Sequence, residues 1–211
     1  MDNLTYLPVS MGEAIDKLTI LDIKLDKIKD QRRNDVKKEY DMLYEKLSVF
    51  IQTYQSLYKQ MKHINLLIWD MMDKLRDGKL DDHSYFIECK RCVEYNDIRF
   101  RVKNKINDKA KSSLKEQKGY LVNKLQININ DDVDISLILK PIKYLSMVKD
   151  IVFLNTNNAT LKSILEEDSN VIFMSSQNNQ NIEITITSNM DVSNILEMLE
   201  ININEMNILM C

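Results

Sequence analysis

Two acidic pairs near the middle of the chain have the spacing of metal ligands. The first pair is Asp70 and Asp73, and the second is Glu94 and Asp97. Side chains three residues apart lie on one face of a helix, and carboxylates on neighbouring helices can hold Mg²⁺ through their oxygens. The pairs therefore predict a magnesium site, provided that two helices bring the four carboxylates together. The alternative is that each pair is a solvent-exposed acidic patch.

A basic stretch, defined here as residues 99–118, follows the second acidic pair. It carries eight Lys and Arg residues against Asp108 and Glu116, in a chain whose formal net charge is −3. Clustered cations can bind the phosphates of a nucleotide-sugar, a nucleic acid or a lipid headgroup. The residues predicted to bind such an anion are Arg99, Arg101, Lys103, Lys105 and Lys109. The alternative is that these cations pair with acidic side chains on neighbouring helices.

Other chemical motifs in the sequence are weak or missing. Cys89-x-x-Cys92 lacks the further ligands of a zinc site, because the chain has only two histidines, and core cysteines explain the motif better. With only three glycines, far apart, a Walker-type phosphate loop is excluded. No HExxH motif and no grouped nucleophile, histidine and acid occur. This favours a non-enzymatic role, with no cofactor except the magnesium of the first hypothesis.

The composition is typical of a protein from a reducing compartment. Of the 211 residues 44% are hydrophobic and 29% charged, and the three cysteines, an odd number, have no disulfide-like spacing. The first ten residues lack the basic and apolar segments of a signal peptide. No apolar run approaches the ~20 residues of a membrane span. We therefore expect a cytoplasmic protein with no membrane span.

The first elements that must position these residues are helices. Ser10 and Glu13 have the S-x-x-E spacing of a capping box, which predicts a helix start. Apolar residues then recur at alternating steps of four and three from Val36 to Leu75, which is a heptad pattern. It predicts one long helix over residues 34–77, antiparallel to the first. Apolar residues beside the heptad positions predict a coiled-coil-like bundle, completed by a second copy of the chain.

A third helix is predicted from Asp81 or Asp82 to about Asn107, and a further helical segment reaches about Gln126. The apolar residues taken as the core face of the third helix are Phe86, Cys89, Val93, Phe100 and Ile106. The helical domain is thus predicted to span residues 1–128.

The second predicted domain, residues 129–211, mixes short helices and strands. After a helix at 131–147, the predicted elements are strands at 150–154, 170–174, 182–187 and 201–210 and helices at 158–167 and 191–200. Their order, β-α-β-β-α-β, is the ferredoxin-like pattern. We therefore expect an α+β chain with a ferredoxin-like second domain. Segment 182–187 lacks the aromatic and basic residues of an RNA-binding sheet, so nucleic acid is not an expected partner.

One part of the chain is similar to a known family. The stretch LPVSMGEAIDKLTIL, residues 7–21, resembles the opening of an uncharacterised family of small bacterial and viral helical proteins. Shorter pieces at residues 68–70, 86–87 and 96–99 are also similar, so the resemblance covers about residues 7–122. Members of that family often accompany glycosyltransferases and surface-polysaccharide enzymes, which implies a role near glycan assembly. The resemblance implies no catalytic residues and does not reach the second domain.

Three functions are compatible with these observations. The preferred one is a non-enzymatic interaction or scaffold protein, accessory to glycan or surface-polysaccharide biosynthesis, that binds a protein partner or forms a homo-oligomer through its helices. The second is a magnesium-dependent nucleotide binder or pyrophosphohydrolase-like enzyme. The acidic pairs slightly resemble the E-x-x-E and E-x-x-D pairs of all-α pyrophosphohydrolases, although the first pair here is Asp-x-x-Asp. The third is a binder of anionic ligands through the basic stretch.

Overall fold

The computed structural model of the chain divides into two compact units, residues 1–117 and 118–211. It describes residues 5–119, 122–166, 168, 170–174 and 183–210. The first unit is helical and the second is α/β, so the α+β class is confirmed. The second unit begins before the predicted boundary near residue 128. Within the described ranges, none of the helices combines the length and apolar content that crossing a bilayer requires.

The helical unit contains four helices. They are α1 (Met11–Lys27), α2 (Arg32–Thr53), α3 (Gln55–Arg76) and α4 (Asp82–Lys109). Helix α1 packs against the other three, and α3 also packs against α4. Fully buried apolar side chains from α1, α3 and α4 form the centre of this unit, among them Ile15, Leu18, Met61, Ile64, Val102 and Ile106.

The prediction of a single long helix over residues 34–77 is wrong, because the helix is interrupted at Tyr54. That residue has φ −122° and ψ 50°, which is not helical, and it separates α2 from α3. The side chains of Tyr40 and Tyr58 are hydrogen-bonded to each other. In a continuous helix 18 residues would hold these two positions ~27 Å apart. The break therefore turns α3 back, so that α1 lies against both helices.

The predicted core face of α4 is also wrong. Phe86 is 68% exposed and Val93 is 64% exposed, whereas Ile106 alone of the five predicted residues is buried. The buried apolar side chains lie on the opposite side of α4. They are Cys92, Tyr95, Ile98, Val102 and Ile106. Two apolar stripes run along α4, and the bundle covers only one of them.

The further helical segment predicted to about Gln126 is wrong, because α4 ends at Lys109 and no helix follows it within residues 111–119 and 122–126. Lys111 adopts a positive φ of 51°. The amide of Lys111 bonds the carbonyl of Asp108, and that of Ser112 bonds the carbonyl of Asn107. This is the hydrogen-bond pattern of a Schellman motif, which ends a helix. The next regular element is a strand, β1 (Lys124–Ile129).

The α/β unit is built on a four-stranded, fully parallel sheet. After β1 come α5 (Ile135–Val148), β2 (Ile151–Asn155), α6 (Ala159–Leu165), β3 (Val171–Met174), β4 (Glu183–Ile186), α7 (Val192–Met198) and α8 (Ile203–Leu209). The spatial order of the strands is β3-β2-β1-β4.

The ferredoxin-like prediction for this unit is therefore wrong, because that fold needs antiparallel strands and every pairing here is parallel. Two misassigned segments caused the error. The strand β1 was not predicted, because its first three residues fall in the segment predicted as helical to about Gln126 and the rest had no assignment. The segment predicted as the last strand forms α8, whose N-cap Asn202 accepts bonds from the amides of Asn204 and Glu205. Ile182, the first residue of another predicted strand, lies outside the described residues.

One face of the sheet is buried. Leu125, Ile127, Ile129, Val152 and Leu154 are all buried, and they alternate with side chains that point to the opposite face. Helix α5 packs against β2, and it also contacts α6, α7 and α8. Side chains of the opposite face include Asn128 and Asn155, which are half-buried, and Thr185, which is exposed.

Candidate functional site

The start of α1 is held by the protein itself. The amide of Glu13 donates to Ser10 Oγ over 3.2 Å, which confirms the predicted cap. The amide of Gly12 donates to Asn107 Oδ1 over 2.7 Å. A helix N-terminus can bind an anion through backbone amides that have no other partner. Because these two already have partners, they are not available to an anionic ligand.

Asp16, one turn further along α1, forms a buried polar cluster with α3 and α4. Its carboxylate accepts two bonds from Arg99, Nε at 2.9 Å and Nη2 at 2.6 Å. Asn65 Nδ2 donates to Asp16 Oδ1 over 2.8 Å and to Thr19 Oγ1 over 2.9 Å. Burial lowers the pKa of Arg99, but the hydrogen bonds and charge of Asp16 outweigh it, so the pKa is raised. The cluster thus joins three helices through a bidentate contact between Asp16 and Arg99 and the hydrogen bonds of Asn65.

The five residues of the basic stretch that were predicted to bind an anion are buried or half-buried in the helical unit. Lys103 Nζ lies 2.6 Å from Glu13 Oε1 and also contacts Glu116 Oε2. Only 8% of Lys103 and 3% of Lys105 is exposed, and the Arg99 side chain is 26% exposed. Arg101 and Lys109 are half-buried. The contacts of Arg99 and Lys103 match the alternative interpretation, in which the cations pair with acids nearby. The predicted anion site stays a prediction without support from this arrangement.

The acidic pairs make separate contacts. Asp70 Oδ1 is bound by Lys27 Nζ at 2.9 Å, and Glu94 lies 3.9 Å from Lys90. In the described part of the chain, no group of three or more His, Cys, Asp or Glu side chains could hold a metal ion. The magnesium site at Asp70, Asp73, Glu94 and Asp97 therefore stays a prediction to be tested by titration with Mg²⁺.

The two cysteines of the C-x-x-C motif differ in their surroundings. Cys92 is buried, with Sγ 3.6 Å from Met72 Sδ, whereas Cys89 is half-buried. Burial, followed by the nearby Cys89 and Glu88, raises the pKa of the Cys92 thiol. These features agree with a core role for Cys92 and not with a reactive thiolate.

The second apolar stripe of α4 is left uncovered by the bundle at Phe86 and Val93, whereas Cys89 and Phe100 are half-buried. We call it the outer face of α4 and define it by Phe86, Cys89, Val93 and Phe100. These residues follow helical spacing and lie opposite the buried stripe that contains Tyr95 and Ile98. Large apolar side chains exposed together on one face mark an interaction surface.

The α/β unit contains a polar crevice at the carboxyl ends of β1, β2 and β4, with a volume of about 610 Å³. Its lining residues are Asn128, Ile129, Asn130, Asp131, Asp132, Asn155, Thr156, Asn157 and Thr185. Sequence reasoning missed this crevice because it did not predict the strand β1, the start of which it placed in a helical segment ending at about Gln126. The available signal was the alternating segment KLQINI followed at once by Asn130, Asp131 and Asp132.

Comparison with known protein families gives a match. A family model described as "Family of unknown function (DUF6165)" matches residues 6–129, which include all four helices of the first unit and β1. No curated protein and no solved structure matches the chain.

Proposed function

The chain belongs to this family of unknown function, and we propose that it is a non-enzymatic interaction protein that pairs with a second copy of itself through the outer face of α4. The observation that carries the proposal is the exposure of Phe86 and Val93 on a helix whose opposite side is buried from Cys92 onward. Aromatic side chains presented in this way are typical anchors of protein interfaces.

The charges beside the outer face fit a two-fold arrangement. Lys90 and Asp97 stand on the same side of the stripe, one on each side of Val93 in sequence. In an antiparallel pair of α4 helices centred on Val93, Phe86 of one copy meets Phe100 of the other. Lys90 of each copy then lies beside Asp97 of the other. Such a self-complementary surface is what a two-fold symmetric interface requires.

A sedimentation experiment on the full chain tests this pairing. We expect a dimer whose population falls on dilution, and a monomer for Val93→Glu, because a carboxylate would lose its hydration at the centre of the interface. Val49→Glu is the matched control, since Val49 is 75% exposed on α2, away from α4, and this variant should remain dimeric. Both variants should keep the helical circular dichroism of the parent.

A charge swap tests the orientation. Lys90→Asp should weaken the dimer, and the double variant Lys90→Asp/Asp97→Lys should restore it, because both interfacial pairs are then re-formed. A parent chain that is monomeric at every concentration contradicts the proposal, as does a dimer that Val93→Glu leaves intact.

The wider role that we propose is accessory to glycan or surface-polysaccharide assembly. Its support is the resemblance of residues 7–21 to a family that accompanies glycosyltransferases. Affinity capture from the native source should recover such enzymes with the tagged chain. Their absence from the captured proteins would count against this role but not against the pairing through α4.

A further inference from the structure

The polar crevice of the α/β unit lies beside β1, where the chain stops adding strands on one side of the sheet and adds the next strand on the other side. From β1 the chain moves through β2 to β3 on one side, and β4 then pairs with the other side of β1. In open parallel sheets, ligands bind outside the carboxyl ends of the strands at such a change of side. The crevice lies at that place, because its lining comes from β1, β2, β4 and the residues that follow β1 and β2.

The floor of the crevice is a row of polar side chains that crosses three strands. Asn128 of β1 is in register with Asn155 of β2 and Thr185 of β4. Asn155 Nδ2 donates to Asn128 Oδ1 over 3.2 Å, and Asn128 Nδ2 lies 3.4 Å from Thr185 Oγ1. The Asn155 side chain uses one N–H in this row, so it keeps a second N–H and a side-chain oxygen that can accept. Through Asn155 the floor can therefore both donate hydrogen bonds to a ligand and accept them.

Two carboxylates, Asp131 and Asp132, follow Asn128 in the sequence, and they make different contacts. Asp131 organises the wall, because Oδ1 accepts from the amide of Asn157 over 2.9 Å and Oδ2 from its Nδ2 over 3.2 Å. Asp132 Oδ2 accepts from Ser188 Oγ over 2.6 Å. A carboxylate has about four lone-pair positions, so Asp132 has capacity for ligand hydroxyl groups.

The lining disfavours two other ligand classes. It contains no Lys, Arg or Gly, so it lacks the cations and the close backbone approach that phosphate recognition uses. As described above, no group of carboxylates suited to a metal occurs among the described residues. What the crevice supplies is amide groups, a hydroxyl and carboxylate acceptors beside one another.

We propose that this crevice binds the adjacent hydroxyl groups of a neutral sugar ring. A hydroxyl group is both donor and acceptor, so a pair of them matches the amide row on one side and the Asp132 carboxylate on the other. Two sources carry this chemistry, a free monosaccharide and the ribose of an unphosphorylated nucleoside. The proposal concerns a different unit from the pairing through α4 and does not depend on it.

An NMR titration of the ¹⁵N-labelled full chain tests the proposal. Glucose, galactose, adenosine and uridine are added separately, and the sugars and nucleosides distinguish the two sources. We expect concentration-dependent shifts in the amides of Asn130, Asp132 and Thr185 with at least one of these compounds. Glucose 1-phosphate should bind no better than glucose, because the lining offers its phosphate no cation.

Two variants locate the binding. Thr185→Val keeps the side-chain shape but removes one hydroxyl group, and it should weaken binding by roughly 3- to 10-fold, as expected for one neutral hydrogen bond. Asp132→Asn should weaken it by about 10-fold or more, because hydrogen bonds to a charged group are stronger. Thr160→Val is the matched control, since Thr160 is exposed on α6 outside the lining, and its affinity should equal that of the parent.

Three results would overturn the assignment. They are the absence of shifts in the crevice with all four compounds, equal affinity of Thr185→Val, Asp132→Asn and the parent, and markedly tighter binding of the phosphorylated sugar. Shifts of the same amides on adding Mg²⁺ or Ca²⁺ alone would also overturn it, because they would identify a cation site.

Discussion

Gly12 lies so close to Lys103 that a Cβ atom at Gly12 would stand 2.5 Å from the Lys103 carbonyl oxygen. The same atom would stand 2.9 Å from Asn107 Oδ1, which accepts the Gly12 amide proton. The backbone of α1 thus approaches that of α4 as nearly as glycine permits. Gly12 lies within residues 7–21, the stretch that resembles the opening of the family. The close contact with Lys103 is a structural reason for a glycine in that stretch.

Substituting Gly12 by alanine should therefore destabilise the helical unit. The nearest obstacle is backbone and cannot rotate away, so α1 must shift, and we expect a loss of about 1–3 kcal/mol in the free energy of unfolding. Gly119→Ala is the control, because nothing lies within 4 Å of a Cβ placed there. Urea denaturation followed by circular dichroism measures both. Equal stability of the two variants would show that α1 adjusts without strain.

The ion pair between Asp16 and Arg99 should also be a major determinant of stability. The Asp16 side chain is only 4% exposed, so Asp16→Ala leaves the Arg99 charge partly buried without its partner, at a cost of roughly 3–5 kcal/mol. The double variant Asp16→Ala/Arg99→Ala should lose less than the sum of the single variants. Asp41→Ala, which removes the exposed pair with Lys37, should change the urea midpoint little. Additive losses at Asp16 and Arg99 would contradict this account.

The sequence predicts the starts of α1 and α4 correctly, because Ser10 and Asp81 are capping residues there. It could not reveal the turn at Tyr54, because the heptad spacing continues on both sides of the break and no glycine or proline marks it. Helix α4 was assigned the wrong buried face for a related reason. It carries two apolar stripes, and only the packing of α1 and α3 decides that Tyr95 is covered and Phe86 is not.

The partners of charged residues were less predictable than the helices. Asp16 and Arg99 are 83 positions apart, and no local pattern joins them. The basic stretch was recognised as unusual, but its burial depends on where Glu13 and Glu116 lie in space. The crevice depends on strand order, which brings Asn128, Asn155 and Thr185 together from three separate segments.

The two cysteines of α4 should react at different rates with a thiol-alkylating reagent. Cys92 is buried and its pKa is raised by that burial, so at neutral pH it presents less of the reactive thiolate than an exposed cysteine. Cys89 is half-buried and serves as the internal comparison. Peptide mass spectrometry of the iodoacetamide-treated, folded Val93→Glu variant, in which no second copy covers the outer face of α4, should show Cys89 modified first, and the difference should vanish in urea. Equal native rates would mean that α4 opens locally.

Acid should weaken the hydrogen bonds between Asp131 and Asn157 in the wall of the crevice, and it should do so at a pH below the usual pKa of aspartate. Hydrogen bonds from the backbone and side chain of Asn157 lower the pKa of Asp131 from its ordinary value of 3.8. A carboxyl group whose pKa is lower in the folded state stabilises that state fully above the unfolded pKa. The stabilisation is lost as pH falls through the lower folded value.

The amide resonance of Asn157 should therefore shift with a midpoint below pH 3.8, since its proton is bound by the Asp131 carboxylate. In Asp131→Asn that transition should disappear, because no carboxyl group titrates there. The variant should also show faster hydrogen exchange at Asn157 at neutral pH, since a neutral amide oxygen is a weaker acceptor than a carboxylate. A midpoint at or above the ordinary value would mean that the bonds between Asp131 and Asn157 do not persist in solution.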